Sequence, residues 1–493
     1  MTSGRTLVRG AFLSGVGMIL SMAGQLGAAV IFGRVLPESD IGTFWLLILC
    51  SDCLVLLTTF GLHSALPRIL AAAPEEERRS LGASILLFQV FVSLAICAAV
   101  FTAWLLIRDP AAISVNESWT RLFPYLWLLP PFFFVATQRD TALAALAGMN
   151  RFGPRAAAQV WGALVNVSLV ALFIAWLDGG LLTLALCTLT AYTVAAVWLG
   201  AFAFPWASLR RCARAYFDAV QFSKPLYVNN IMAFTTQRFD TFLVALLLGN
   251  PVVVAYYEMA KRLPNMYTRI LVSTLVPYLP GISARVAEGD TEGAARLLNK
   301  TLALILFLGY TSVLAILVIE RPLIVLLFSE KYLPSVSVLW LLMTGTCLAI
   351  QSGTFGQSLI ALGKPGLVAW ANLVSGVFSV TANLVLIPRY GIFGAGVAYL
   401  CTMAVTAGIQ GFWAHRNGMR LRLGRVAMAH AVMAGCLALG QSFPAFGWRA
   451  GALLVFVAAS FAVSLVSVGQ LVQLARLLIP VRSRSGSPRI AND

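Results

Sequence analysis

Nine ionisable residues fall inside segments that are otherwise apolar: Asp52, Arg139, Asp140, Arg238, Asp240, Glu258, Lys261, Arg262 and Arg269. Charges in a hydrocarbon environment are costly, so they mark binding sites, ion pathways or buried pairs. Arginine suits phosphate, which it grips through two parallel hydrogen bonds. Carboxylates at such depth suit ion coupling, and Asp240, Glu258 and Asp52 are the candidates for it. Spacing sharpens the set. At about 100° per residue, Glu258, Arg262, Asn265 and Arg269 form one stripe along a helix. Asn229, Thr236 and Asp240 form a second, and Ser14, Ser21 and Gln25 a neutral third. Polar stripes facing lipid would be unsatisfied, so these should face a cavity or one another.

Depth adds to the pattern. Asp240 lies about 12 Å and Lys261 about 14 Å from the turn that joins their segments, at 1.5 Å per residue. Asp240 and Glu258 are therefore expected to neutralise some of Lys261, Arg262 and Arg238. Arg269 has no acid near it in sequence, and a bound anion would supply its partner. Arg139 has Asp140 beside it, but adjacent residues leave a helix about 100° apart. Pro264 removes a hydrogen bond to the carbonyl of Ala260 and predicts a bend there.

The elements that must position these residues are membrane-spanning helices, each needing about 20 mainly apolar residues. Fourteen such segments are expected, near 10–32, 41–62, 81–107, 121–148, 156–177, 181–204, 226–248, 252–281, 301–319, 335–360, 366–387, 392–414, 426–443 and 450–475. The chain has 493 residues, 59% hydrophobic and 11% charged, with a net charge of +16. That composition excludes a soluble domain. Twenty-three of the 35 Lys and Arg fall on one side of these segments, seven on the other and five within them. The bias places both termini in the cytoplasm. It also explains the basic balance without a nucleic-acid partner. The first apolar run is too long for a cleavable signal.

Other chemistries lack their motifs. There is no P-loop, no H-E-x-x-H and no G-x-S-x-G. No cofactor or metal is expected. Cys50 and Cys53 form a C-x-x-C inside the second segment and read as small apolar residues. His63, His415 and His430 are scattered at segment ends. Asn116-Glu117-Ser118 is a glycosylation sequon on the outer side. Loops are short, and the longest lie near 63–80, 205–225 and 282–300. In the last, Asp290 can cap a helix with Glu292 in its first turn, an interfacial helix leading into the ninth span.

Segments five and six parallel segments eleven and twelve. Trp161, Asp178-Gly179-Gly180 and Cys187-Thr188 match Trp370, Arg389-Tyr390-Gly391 and Cys401-Thr402, about 210 residues later. Six intervening spans keep the orientation, so the repeats would be parallel.

At this point the chain resembles the polysaccharide (O-antigen type) flippases of the multidrug/oligosaccharidyl-lipid/polysaccharide exporter superfamily. The resemblance covers nearly the whole chain. It rests on Phe32-Gly33-Arg34-Val35-Leu36 with Ile41-Gly42-Thr43-Phe44, and on Arg238-Phe239-Asp240 with Leu248-Gly249. It continues in Ala255-Tyr256-Tyr257, Ala260-Lys261-Arg262-Leu263, Glu288-Gly289-Asp290 and Phe328-Ser329-Glu330-Lys331-Tyr332. It ends in Ile387-Pro388-Arg389-Tyr390-Gly391-Ile392 and Gly394-Ala395-Gly396.

The resemblance implies an all-α polytopic membrane protein. Two six-helix lobes, 1–208 and 209–425, would be followed by a helix pair at 426–475 and a basic tail at 476–493. It implies a bacterial inner-membrane transporter, not an enzyme. Its cargo would be a polyprenyl-pyrophosphate-linked oligosaccharide moved outward by alternating access for surface polysaccharide such as lipopolysaccharide. Membrane lipids and other assembly proteins would be its partners. Arg269 and the Lys261-Arg262 pair would hold the pyrophosphate, with Arg139 and Arg34 as further candidates and Asn265 and Gln25 as neutral contacts. Asp240, Glu258, Asp52, Asp140 and Arg238 would couple ions or pair with the cations. Two alternatives stay open: a cation-coupled drug antiporter of the same fold, and a membrane enzyme of glycan assembly with Glu38, Asp109, Glu117, Glu320 or Glu330 as its acid.

Overall fold

A computed structural model describes residues 4–106, 116–203, 209–274, 278–443 and 445–462. Every regular element among the described residues is a helix. The first half holds α1 (Gly4–Val35), α2 (Glu38–Thr59), α3 (Leu62–Ala72), α4 (Glu75–Leu106), α5 (Glu117–Leu122), α6 (Leu129–Gly148), α7 (Phe152–Val170) and α8 (Leu181–Ala203). The second holds α9 (Leu209–Gln237), α10 (Phe239–Leu248), α11 (Pro251–Thr274), α12 (Tyr278–Ala287), α13 (Thr291–Phe328), α14 (Val336–Ala361) and α15 (Pro365–Arg416). α16 (Leu423–Ser442) and α17 (Phe446–Ala462) follow. The fourteenth expected segment and the basic tail lie wholly or partly outside the described residues.

Among the described residues, nine helices are long and apolar enough to cross a membrane, or ten if Leu226–Gln237 and Phe239–Leu248 count as one bent span. Three features separate this number from the expected fourteen. α15 is 52 residues long and contains two of the expected segments, divided at Gly391, whose φ of 60° and ψ of −140° are not helical. α6 carries Arg139 and Asp140, and α11 carries Glu258, Lys261, Arg262 and Arg269, which lowers their apolar character. The described part of α17 is only 17 residues. The surface agrees with a lipid environment: Trp176, Leu106, Phe446 and Leu454 are among the most exposed side chains, whereas Asp240, Glu258 and Lys261 are buried.

In lipid, helices associate through close packing rather than hydrophobic exclusion. α1 shows this against α7. A Cβ on Gly17 would stand 2.8 Å from that of Ala156, and one on Gly24 3.0 Å from that of Ala163. The backbones approach because neither glycine has a side chain. This fixes the face of α1 that carries Ser21 and Gln25.

Asp290 caps α13 by accepting from the Gly293 amide at 2.7 Å. The expected interfacial helix is continuous with the span it leads into, one helix of 38 residues.

The two parallel hairpins share their turn geometry. Asn150 (φ 57°) follows α6 and Gly363 (φ 73°) follows α14, 213 positions apart. At both ends one amide bonds four residues back, the next three, the next five: Met149, Asn150 and Arg151 in one, Leu362, Gly363 and Lys364 in the other. Asp178 (φ 49°), between α7 and α8, and Gly391 (φ 60°), inside α15, are also 213 apart.

Candidate functional site

α1, α2, α6, α7, α8 and α11 enclose a cavity of about 390 Å³ in the middle of the bundle. Gln25, Asp52, Arg139, Asp140, Arg238, Glu258, Arg262, Asn265 and Arg269 all line it. These are nine of the twelve sequence-predicted site residues. The stripe Glu258, Arg262, Asn265 and Arg269 runs down one wall intact, as the helical period requires.

The acids are largely committed. Arg139 donates from Nε to Asp140 Oδ1 at 2.9 Å and stacks 4.0 Å above the Tyr192 ring. A long flexible side chain thus bridges the 100° between neighbours. Arg238 Nη2 is 3.7 Å from Asp52 Oδ2, tying the α9–α10 junction to α2. Glu258 Oε1 accepts the Thr241 hydroxyl at 2.5 Å.

Arg262 and Arg269 have no ion pair among the described residues. The Arg262 guanidinium lies 4.0 Å over the Trp45 indole. Its Nε is buried without a hydrogen-bond partner. An unpartnered buried donor is expensive, and a ligand or ordered water is its usual complement. Arg269, two turns along, is exposed on the same cavity wall.

Three predicted residues sit elsewhere. Lys261 does not line the cavity. Its Nζ donates to Asp240 Oδ1 at 2.9 Å, Gln237 O at 3.0 Å and Thr241 Oγ1 at 3.1 Å. All three of its N–H donors are used here, and they brace α11 against the α9–α10 junction. Asp240 completes that brace. It also accepts from the Tyr257 hydroxyl at 2.6 Å and the Thr241 amide at 2.7 Å. Arg34 lies at the far end of α1, donating to the carbonyls of Leu326 and Leu327.

α11 continues through Pro264. A helix break falls at Arg238 (φ −129°, ψ −31°), where α9 and α10 meet at 49°. It interrupts the Asn229–Thr236–Asp240 stripe. Asn229 then pairs with Asn372 on α15. Lys261 takes up the Gln237 carbonyl at the break.

Sequence reasoning missed Trp45, Tyr192 and Thr241. Trp45 was within reach: it stands seven residues before Asp52, on the same face of α2.

A model for polysaccharide biosynthesis proteins matches residues 31–337. The chain belongs to that family. It is similar to a probable low-salt glycan biosynthesis flippase, Agl15, of Haloferax volcanii, at 26% identity over 39% of this chain and 40% of the relative. It is also similar to an uncharacterized membrane protein in the cps region of Klebsiella pneumoniae, at 25% identity over 39% of each. The aligned part thus spans about two fifths of each relative's length.

Solved structures share the fold. The lipid II flippase MurJ in an inward closed conformation superposes with a TM-score of 0.69, covering 95% of this chain and 100% of that one at 14% identity. An inward-facing multidrug resistance MATE transporter of the MOP superfamily gives 0.65, covering 83% and 98% at 16% identity. The family member described here therefore has the MOP transporter fold. Two of the acids considered for an enzyme are tied down in it: Glu320 to Arg449 at 2.8 Å and Glu117 to Arg121 at 3.1 Å.

Proposed function

We propose that the protein flips a lipid-linked oligosaccharide across the membrane, with its pyrophosphate held between Arg262 and Arg269. The observation that carries this reading is the pair of guanidiniums on one cavity wall without an ion pair among the described residues, one with its Nε buried and unpartnered. A diphosphate offers adjacent anionic oxygens that match planar guanidinium forks. Asn265 and Gln25 offer neutral donors and acceptors for sugar hydroxyls. The family and the glycan flippase relative support this cargo.

Transport proceeds by alternating access. The halves 1–208 and 209–425 rock as lobes about the cavity, and 426–475 rides on the second. The polyprenyl tail stays in the bilayer. Both termini face the cytoplasm of a bacterial inner membrane. The Arg238–Asp52 contact joins the two halves at the cavity, so protonation of Asp52 or a bound cation there would couple an ion gradient to the rocking.

The test is complementation of a deletion strain with Arg269→Ala. Surface polymer should fall sharply at equal expression. Normal polymer would remove the pyrophosphate role. Drug resistance on expression, without a polymer defect in the deletion strain, would identify the antiporter alternative.

A further inference from the structure

A second cavity, of about 870 Å³, opens at the end of the bundle where α13 begins and α15 passes into α16. It is remote from the central site and shares none of its lining residues. Arg296, Lys300, Arg420, Arg422 and Arg425 line it, with Glu292 the one acid among its lining residues.

The backbone that carries Arg420 and Arg422 is held by hydrogen bonds. Asn299, on α13, accepts from the Arg422 amide at 2.9 Å and donates to the Arg420 carbonyl at 2.9 Å. His415 Nδ1 accepts from the Leu421 amide at 3.1 Å. The link from α15 to α16 is thereby fastened across α13, which sets where its arginines leave the backbone. Arg296 is occupied by Glu292 at 3.3 Å and Asp290 at 3.9 Å. Lys300, Arg420 and Arg422 have no ion pair among the described residues.

Below the basic rim the wall changes character. Leu302, Ala303, Leu306 and Val426 line the deeper part. Leu306 is ten residues along α13 from Arg296, about 15 Å toward the membrane interior. A cationic rim over an apolar floor, at the end of transmembrane helices, fits a molecule with a phosphate head and a hydrocarbon tail.

We propose that this pocket binds an anionic phospholipid of the adjoining leaflet, its phosphate between Lys300, Arg420 and Arg422 and its upper acyl chain against Ala303 and Val426. A free phosphate would use the rim alone and leave the apolar floor wet. The apolar floor therefore favours the lipid as source.

The test uses the full chain, purified in mild detergent and placed in phosphatidylcholine nanodiscs with or without phosphatidylglycerol. Native mass spectrometry reads retained lipid. The wild type should retain phosphatidylglycerol over phosphatidylcholine. The Lys300→Ala/Arg420→Gln/Arg422→Gln variant should bind it on the order of a hundredfold more weakly, from the attraction of three surface cations. Arg68→Ala/Arg79→Ala, which removes two exposed bases elsewhere, should retain it. Arg420→Lys/Arg422→Lys should retain most of it, which separates lost charge from lost folding. Equal retention by wild type and triple variant would overturn the proposal. So would equal retention of the two lipids, or displacement of phosphatidylglycerol by inorganic phosphate at matched concentration.

Discussion

The Arg262 guanidinium lies 4.0 Å above the Trp45 ring, so a cation of α11 rests on an aromatic face of α2. The stack orients the guanidinium plane while leaving Nε without a hydrogen bond. It joins the two halves of the protein at the cavity. A cation–π contact of this kind contributes about 0.5–2 kcal/mol, more where water is excluded.

Trp45→Ala should therefore lower transport several-fold while leaving the fold intact, and Trp45→Phe should lower it less. Arg262→Lys should fail to rescue, because an ammonium lacks the planar fork. Polymer export at matched membrane levels checks this. Equal export by Trp45→Ala and wild type would show that the stack is idle.

The Lys261 brace predicts a stability effect. Lys261→Met leaves Asp240 buried without its cation, and breaking such a pair costs about 3–5 kcal/mol. Thermal unfolding in detergent should show a clear loss. Asp240→Asn/Lys261→Met should recover part of it, since neither charge is then stranded.

At the end of the bundle expected to face outward, the halves are fastened by side chain to backbone bonds. Lys331 Nζ donates to Leu36 O at 2.6 Å. Asn116 Nδ2 donates to Ala245 O at 3.1 Å and Leu246 O at 2.9 Å. The amide of the Asn116 sequon is thus occupied. Asn116→Ala/Lys331→Ala should open this end more often. In a cysteine-less background with Gln25→Cys, labelling by a membrane-impermeant thiol reagent from outside should rise. An unchanged labelling rate would mean that these bonds do not hold the cavity shut.

Arg449 docks the last helices. It meets Glu320 at 2.8 Å and donates to Leu317 O and Gly440 O. Arg449→Met should cost about 3–5 kcal/mol, as for any stranded buried carboxylate. Limited proteolysis of the α15–α16 link should become faster.

Much of the site was legible because its order is local. Glu258, Arg262, Asn265 and Arg269 share a face by helical period alone, and that face lines the cavity. The pairing was legible in part: Asp240 neutralises Lys261, as their matched depth predicts, and Glu258 lies 3.8 Å from the same ammonium. Asp52 meets Arg238, and Arg34 meets Leu326 and Leu327, across sequence separations that no period encodes. The family resemblance put Lys261 among the anion ligands, yet its side chain leaves α11 on another face and turns into the α10 brace. The break at Arg238 was not legible, since neither proline nor glycine stands there; Lys261 satisfies the Gln237 carbonyl it frees. The repeat was visible as an offset near 210, and the left-handed turn residues refine it to 213.

In the proposed function, Arg262 and Arg269 together hold the diphosphate of a lipid-linked glycan. The most direct measurement is flipping of a fluorescent polyprenyl-diphosphate sugar by the purified protein in liposomes, comparing wild type with Arg262→Gln/Arg269→Gln. Each lost charge-assisted hydrogen bond is worth about 1.5–3 kcal/mol, so the double variant should flip at least about a hundredfold more slowly. Flipping by the double variant at the wild-type rate would contradict the account.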